Sequence, residues 1–228
     1  MFSQIKREYV EPIEDKQLLT DAVKGMVSSL DPHSSYLDKK DLIDKTIATC
    51  IYTGITTDTG SFRFPSTTST THRITADLID LGINNSAVHN LLFDDNSANR
   101  LQLLGRALQN IKVFPEYKTS YITLSQKELD EFHYQKGDTE GIVNHALSVE
   151  GIIFAIIFIE DVEQQIVKIS LRSKGRFSVN KFARAHFDGG GHDNAAGGKS
   201  KLSLDATISK FLKVLPKYKK ELIYSYED

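Results

Sequence analysis

The chain has 228 residues, 40% hydrophobic and 25% charged, with a net charge of −2. That length suits one large or two small domains, and that balance suits an ordinary globular protein. No apolar run approaches the roughly 18–20 residues of a membrane helix; the longest, Ile152 to Ile159, is strand-sized. The first residues lack the apolar core of a signal peptide, so the sequence predicts a cytoplasmic protein that does not bind membranes. Its single cysteine, Cys50, excludes an internal disulfide framework and a cysteine-based zinc site. With Ile47, Ala48 and Ile51 around it, Cys50 is expected to be a buried structural thiol rather than a nucleophile.

Charge is segregated along the chain. Residues 124–165 hold nine Asp/Glu against two Lys/Arg, whereas residues 166–228 hold thirteen Lys/Arg against six Asp/Glu. The last quarter favours an anionic partner locally.

In chain order, Ile5, Tyr9 and Val10 suggest a short amphipathic helix ended by Pro12. Asp15 can cap a second helix whose apolar positions Leu18, Leu19, Ala22, Val23, Met26 and Val27 recur at helical spacing. Leu30-Asp31-Pro32 ends it, because the residue before proline avoids the α region. A turn-rich stretch, Asp31 to Tyr36, follows. The β-branched run Ile47 to Ile55 predicts a buried strand, leading into a small polar loop, Thr56 to Phe62. Helices are predicted over His72 to Leu81, Ser86 to Phe93 and Ala98 to Asn110, with a linker near Val113–Lys118 around Pro115. Beyond it, Tyr121–Leu124 reads as a short strand and Ser125 as the cap of an acidic helix over 126–132. Gly151–Ile159 and Ile166–Leu171 read as strands joined by a hairpin-like Glu160–Gln164 connection. Ser178 caps a helix presenting Val179, Phe182, Ala183 and Phe187, and a last helix spans about 204–215. The expected fold is α/β: a helical segment over 1–42, a partial parallel-sheet segment over 43–115, and a mixed-sheet domain over 119–228.

The sharpest local signal is Gly189-Gly190-Gly191-His192-Asp193-Asn194-Ala195-Ala196-Gly197-Gly198. Three consecutive glycines permit positive φ and bring backbone N–H groups close to a ligand. A row of such donors forms an anion nest, and a short helix beginning near His192 would add its positive end. His192 can donate to a phosphate or a sugar hydroxyl. The plainer reading is a helix C-cap followed by a flexible loop. At the end of the 166–171 strand, Arg172 offers a planar fork suited to phosphate and Ser173 a hydroxyl, with a solvated basic strand end as the alternative. Arg184 and His186 precede the glycines and either can line the groove, with surface placement the expectation for Arg184. Asp58, in its loop of Thr, Gly and Ser, is either a metal ligand or an Asx-turn residue.

Two stretches carry resemblances to known families. From about Leu42 onward the chain resembles DHH-family phosphoesterases with their DHH-associated domain, in the oligoribonuclease and pAp phosphatase branch. The motifs are Tyr52–Arg63 (YTGITTDTGSFR), Gly137–Asn144 (GDTEGIVN), Ser170-Leu171-Arg172-Ser173 and the Gly189–Gly198 segment. Residues 1–42 resemble the amino-terminal helical region of carboxyl-terminal processing peptidases, through Lys6–Pro12 and Gly25–Asp38. No PDZ or protease domain follows, so this second resemblance implies no proteolysis. It leaves an oligomerisation or regulatory segment as one reading of the chain.

The phosphoesterase resemblance implies hydrolysis of short oligoribonucleotides or of pAp with two divalent ions, usually manganese. It assigns substrate phosphate and sugar to Gly189, Gly190, Gly191 and His192, with Arg172 and Ser173 assisting, and a metal to Asp58. The family's upstream metal motifs, including its Asp-His-His triplet, are missing. The histidines (His33, His72, His89, His133, His145, His186 and His192) include no adjacent pair. The chain is therefore expected to bind short RNA or nucleotide phosphates with an incomplete metal site and little or no turnover. A non-catalytic nucleotide-binding module is the alternative to a working hydrolase. An exposed sheet edge beside Ile47–Ile55, or the amino-terminal helices, would favour homo-oligomers.

Overall fold

In the computed structural model, residues 14–29 and 43–224 are described, and they fall into two compact units that divide between Asp95 and Asn96. The expectations for Ile5 to Pro12 and for Asp31 to Tyr36 lie outside the described residues.

The first unit contains helices α1 (Asp15–Ser28), α2 (Lys45–Asp58), α3 (Ser69–Asp80) and α4 (Asn85–His89), the last running into a π-helical turn at Asn90–Asp94. Helix α1 starts at Asp15, with Glu14 rather than Asp15 as its N-cap residue. The strand expected over Ile47 to Ile55 is instead the middle of α2. Three local effects overrule the β-branched composition. Asp44 caps the helix, its carboxylate accepting from Ile47 N at 2.8 Å. Thr49, Thr53 and Thr57 each donate their hydroxyl to the carbonyl four residues back, at 2.7, 2.8 and 3.1 Å. Ala48, Tyr52 and Thr56, spaced by four, bury one face. Ala48 and Tyr52 pack with Leu78, Ile83 and Val88 into a small core. Cys50 lies off that face and is exposed, so the buried thiol expected there is not found. The sheet edge that would have favoured association disappears with the strand.

In the second unit, α5 (Ala98–Gln109) precedes β1 (Lys112–Phe114), a 3-10 turn (Pro115–Tyr117) and β2 (Thr119–Leu124). The stretch expected as a linker is thus an edge strand and a turn, because Lys112–Phe114 pairs antiparallel with Thr119–Tyr121. Helices α6 (Gln126–Glu131) and α7 (Ile142–Leu147) lead to β3 (Phe154–Asp161) and β4 (Ile166–Ser173). Helix α8 (Val179–His186), β5 (Gly190–His192), β6 (Ala195–Ser200), α9 (Leu204–Val214), a 3-10 turn (Leu215–Tyr218) and α10 (Lys219–Tyr224) complete it. The strands form one six-stranded sheet, β1-β2-β3-β4-β6-β5, with β2–β3 parallel and every other pair antiparallel. The α/β class is therefore as the sequence implies, with a mixed sheet at its centre.

Strand β3 reads as a continuous apolar run because both of its faces are covered. Phe154, Ile156 and Phe158 join Leu171, Phe182, Phe187, Phe211 and Leu222 in one core. Ala155, Ile157 and Ile159 join Leu103, Ile122, Leu129, Ile142, Val143 and Ala146 in the other. Helices α8, α9 and α10 thus contribute to the core on one face, and α5, α6 and α7 to that on the opposite face.

Phe154 is fully buried, with the rings of Phe177, Phe182 and Phe211 centred 5.0, 5.1 and 6.0 Å away. Behind them, His186 Nε2 meets the Tyr218 hydroxyl at 2.7 Å. Burial, aided by Lys210 and Lys217, holds the imidazole pKa below its ordinary value, while burial and Glu221 raise that of the phenol. The bond therefore joins a protonated phenol to a neutral imidazole, whose tautomer sets which of the two donates.

Phe154→Ala is expected to cost about 3–5 kcal/mol, read as a fall in the urea midpoint. Below about pH 6.5 the unfolded chain takes up a proton that folded His186 resists, so stability falls with acid. His186→Gln should flatten that loss between about pH 6.5 and 5 in thermal melts; an unchanged slope would assign it to other groups.

Candidate functional site

The Gly189–Gly198 segment forms the β5–β6 hairpin at the end of the sheet, with Asp193-Asn194 as its two-residue tip. No helix begins near His192; the expected positive helix end is replaced by an edge strand. In Gly189–Gly191 only Gly191 takes a positive φ, +149°. The glycines meet a packing requirement. A Cβ on Gly189 would lie 2.0 Å from Gly197 O, one on Gly191 2.6 Å from Ala195 O, and one on Gly198 2.8 Å from Phe187 O. Backbone lies directly on backbone here, and any side chain would hold it apart.

Three groups pin the tip. The Asp193 carboxylate accepts from the Ser178 hydroxyl at 2.7 Å, and its carbonyl accepts from Val179 N at 2.7 Å, joining the hairpin to the start of α8. Asn194 Nδ2 donates to Ser173 Oγ at 2.9 Å and to Gly175 O at 3.0 Å. The Ser173 hydroxyl donates to Phe177 O at 2.6 Å and is buried, so its proton holds the β4–α8 turn.

Register then assembles the expected residues. Ala155 on β3 pairs with Arg172 on β4, Arg172 with Ala195 on β6, and Ala195 with His192 on β5. Residues paired this way share one face of a sheet. Arg172 and His192 therefore lie in one row, with only the methyl of Ala195 between their strands. Because Ala155 belongs to the core shared with α7, this is the α7 face. Glu140, in the Gly137–Gly141 turn that leads into α7, acts electrostatically on Arg172. Burial pushes the Arg172 pKa down, Glu140 opposes that, and the group stays a cation with one Nη donating to Leu171 O at 2.9 Å. The sequence missed the bracing roles of Asp193 and Asn194. A polar pair between two short extended runs was the available signal.

Asp58 belongs to the first unit. It is the exposed last residue of α2, followed by Gly60, Ser61 and Phe62, all with positive φ. Among the described residues no cluster of three or more His, Cys, Asp or Glu could hold a metal ion. A divalent pair needs several hard ligands at once, and Asp58 with its neighbours does not fit one.

Residues 117–221 match the DHHA1 domain family. The second unit carries a DHHA1 domain. Residues 1–41 match the activating protease CtpB N-terminal domain, so both resemblances drawn from the sequence hold. The bifunctional oligoribonuclease and PAP phosphatase NrnA of Bacillus subtilis is 31% identical over 150 residues, covering 66% of this chain and 46% of that protein. NrnA of Thermus thermophilus is 31% identical over 184 residues, covering 77% and 54%. The crystal structure of an exopolyphosphatase-related protein from Bacteroides fragilis matches with a TM-score of 0.77 and 33% identity, covering 94% of this chain and 63% of that one. The chain is thus homologous to DHH-family phosphoesterases, and it spans about half the length of the curated relatives it matches. No described helix is long and apolar enough to cross a membrane.

Gly189→Ala is expected to destabilise the protein by about 1–3 kcal/mol through overpacking. Gly105→Ala, in α5 with open space around its Cα, should stabilise by about 0.5–1 kcal/mol. Denaturant titrations of the two variants check the pair of opposite signs.

Proposed function

We propose that the DHHA1 unit binds the phosphorylated end of a nucleotide or short RNA, and that this chain by itself does not hydrolyse it. The observation behind this reading is the row Arg172–Ala195–His192 on one sheet face, beside a glycine strand whose outer edge has no strand partner among the described residues. Arg172 is half-buried, so its charge is less screened than that of a surface cation and its fork suits phosphate. His192 is exposed at the rim and can meet a sugar hydroxyl or a phosphate oxygen. Glu140 acts electrostatically on Arg172, so an anionic ligand must compete with it.

NrnA relatives are named for oligoribonuclease and PAP phosphatase activity, and three of the four motifs that carry the resemblance, Gly137–Asn144, Ser170–Ser173 and Gly189–Gly198, belong to this unit. Hydrolysis in such enzymes draws on divalent metal, with manganese as the proposed ion and the cytoplasm as the proposed setting. The donor set among the described residues supports only the binding step.

Two measurements test the reading. Titration with pAp or a 5′-phosphorylated dinucleotide should show salt-sensitive binding that Arg172→Ala weakens by about 1.5–3 kcal/mol, roughly 10- to 150-fold. Incubation with manganese should release almost no product. Turnover within roughly tenfold of a full-length relative would overturn the non-catalytic part.

A further inference from the structure

Arg184 is exposed, as expected, and the structure places it against the glycine strand. A Cβ on Gly190 would lie 3.3 Å from Arg184 Nη2, 3.4 Å from Cζ and 3.5 Å from Nε. Three atoms of one planar group at nearly equal distance mean that the guanidinium lies flat over Gly190, in the space a side chain would take. Its Nε donates to Asn180 Oδ1 at 2.9 Å, one turn back on α8, which fixes the rotation of the plane. The terminal nitrogens have no hydrogen-bond partner among the described residues, and Arg184 is exposed. Face-on packing directs their N–H groups outward from the edges of the plane.

Among the described residues strand β5 pairs only with β6, which leaves its other edge without a strand partner there, beside this guanidinium. From Ile166 to Phe187 the chain holds six Lys/Arg and no Asp/Glu. Phe182 and Ala183 hold α8 in the core on one face of the sheet, but Gly190 pairs through Gly197 and Ser170 with Ile157, which belongs to the core on the other. The guanidinium that fills the place of the Gly190 side chain therefore stands on the face that carries Arg172 and His192. A ligand with one phosphate reaches one of the two arginines; a ligand with two, separated by a sugar, can reach both along that face.

We infer that Arg184 is a specificity-determining residue that binds the second phosphate of a doubly phosphorylated nucleotide. This rests on the proposed nucleotide site, and the anchored fork is what suits it to bidentate phosphate contact. Asn180 acts as its positioning residue, since without that tether the side chain recovers rotamers that do not face the edge.

The experiment is calorimetric titration of the full chain with adenosine 3′,5′-bisphosphate and, separately, adenosine 5′-monophosphate. Arg184→Ala should lower bisphosphate affinity about tenfold or more and leave monophosphate affinity within about twofold. Asn180→Ala should give a smaller loss of the same selectivity. Arg172→Ala should weaken both ligands. An unchanged thermal midpoint in Arg184→Ala excludes an effect through hairpin stability. If the unsubstituted chain binds both nucleotides and Arg184→Ala changes neither, or weakens both equally, the inference fails and the phosphate site stands. If the unsubstituted chain binds neither, the phosphate site fails and this inference with it.

Discussion

The site depends on one steric constraint: the β5–β6 hairpin must lie backbone against backbone, and glycines are what let it. With Gly189 on Gly197 and Gly198 on Phe187, the hairpin closes tightly enough for Ala195 to pair with Arg172 on one side and with His192 on the other. A wider hairpin would shift that register, and a shift of one residue turns every side chain of a strand to the opposite face. Arg172 and His192 share a face only while the register holds. The glycines also leave space above Gly190 that the Arg184 guanidinium fills. One composition therefore sets both the strand pairing and the placement of the cations around it.

The remaining polar contacts fix this hairpin to the rest of the unit. Asp193 binds it to the N-terminus of α8 through Ser178 and Val179, and Asn194 binds it to the β4–α8 turn through Ser173 and Gly175. Because Ser173 and Phe177 are themselves buried, the tip is referenced to the core rather than to solvent. A binding group gains from such support, since a side chain held in place loses less entropy when it meets its ligand. Behind the sheet, the ring cluster around Phe154 carries α8 and so sets the helix from which Arg184 projects.

Much of the second unit was legible in the chain. The caps at Ser125 and Ser178 are real, both accepting the backbone N–H three residues on. The apolar faces of α8 and α9 and the run over β3 follow from their periods. What failed did so for identifiable reasons. The 47–55 run satisfies a strand by composition, but its buried members Ala48, Tyr52 and Thr56 are spaced by four, and the decisive threonine bonds are invisible to propensity. Strand β5 is three residues of Gly-Gly-His, a sequence with almost no intrinsic strand preference; only pairing with β6 makes it one. Arg172 and His192 could be singled out as chemistry, but their row, and the approach of Arg184, are facts of register and packing that no local pattern encodes.

The two units of the chain are built unevenly. The DHHA1 portion has a three-layer core with fully buried residues on both faces of the sheet, which gives the Arg172–His192 row a rigid base. The helices over 43–95 bury a much smaller set centred on Tyr52, and they present Ile47, Ile51, Ile74, Ile79 and Leu91 to solvent. Chemistry on a phosphoester needs several groups held within a fraction of an ångström of their working positions. Binding of a phosphate end asks less: a cation with a fixed fork, a second donor, and a surface that does not move. The proposed phosphate site draws on residues of the second unit alone, whereas Asp58, exposed at the end of α2 and outside any cluster of metal-binding side chains among the described residues, does not meet the larger requirement.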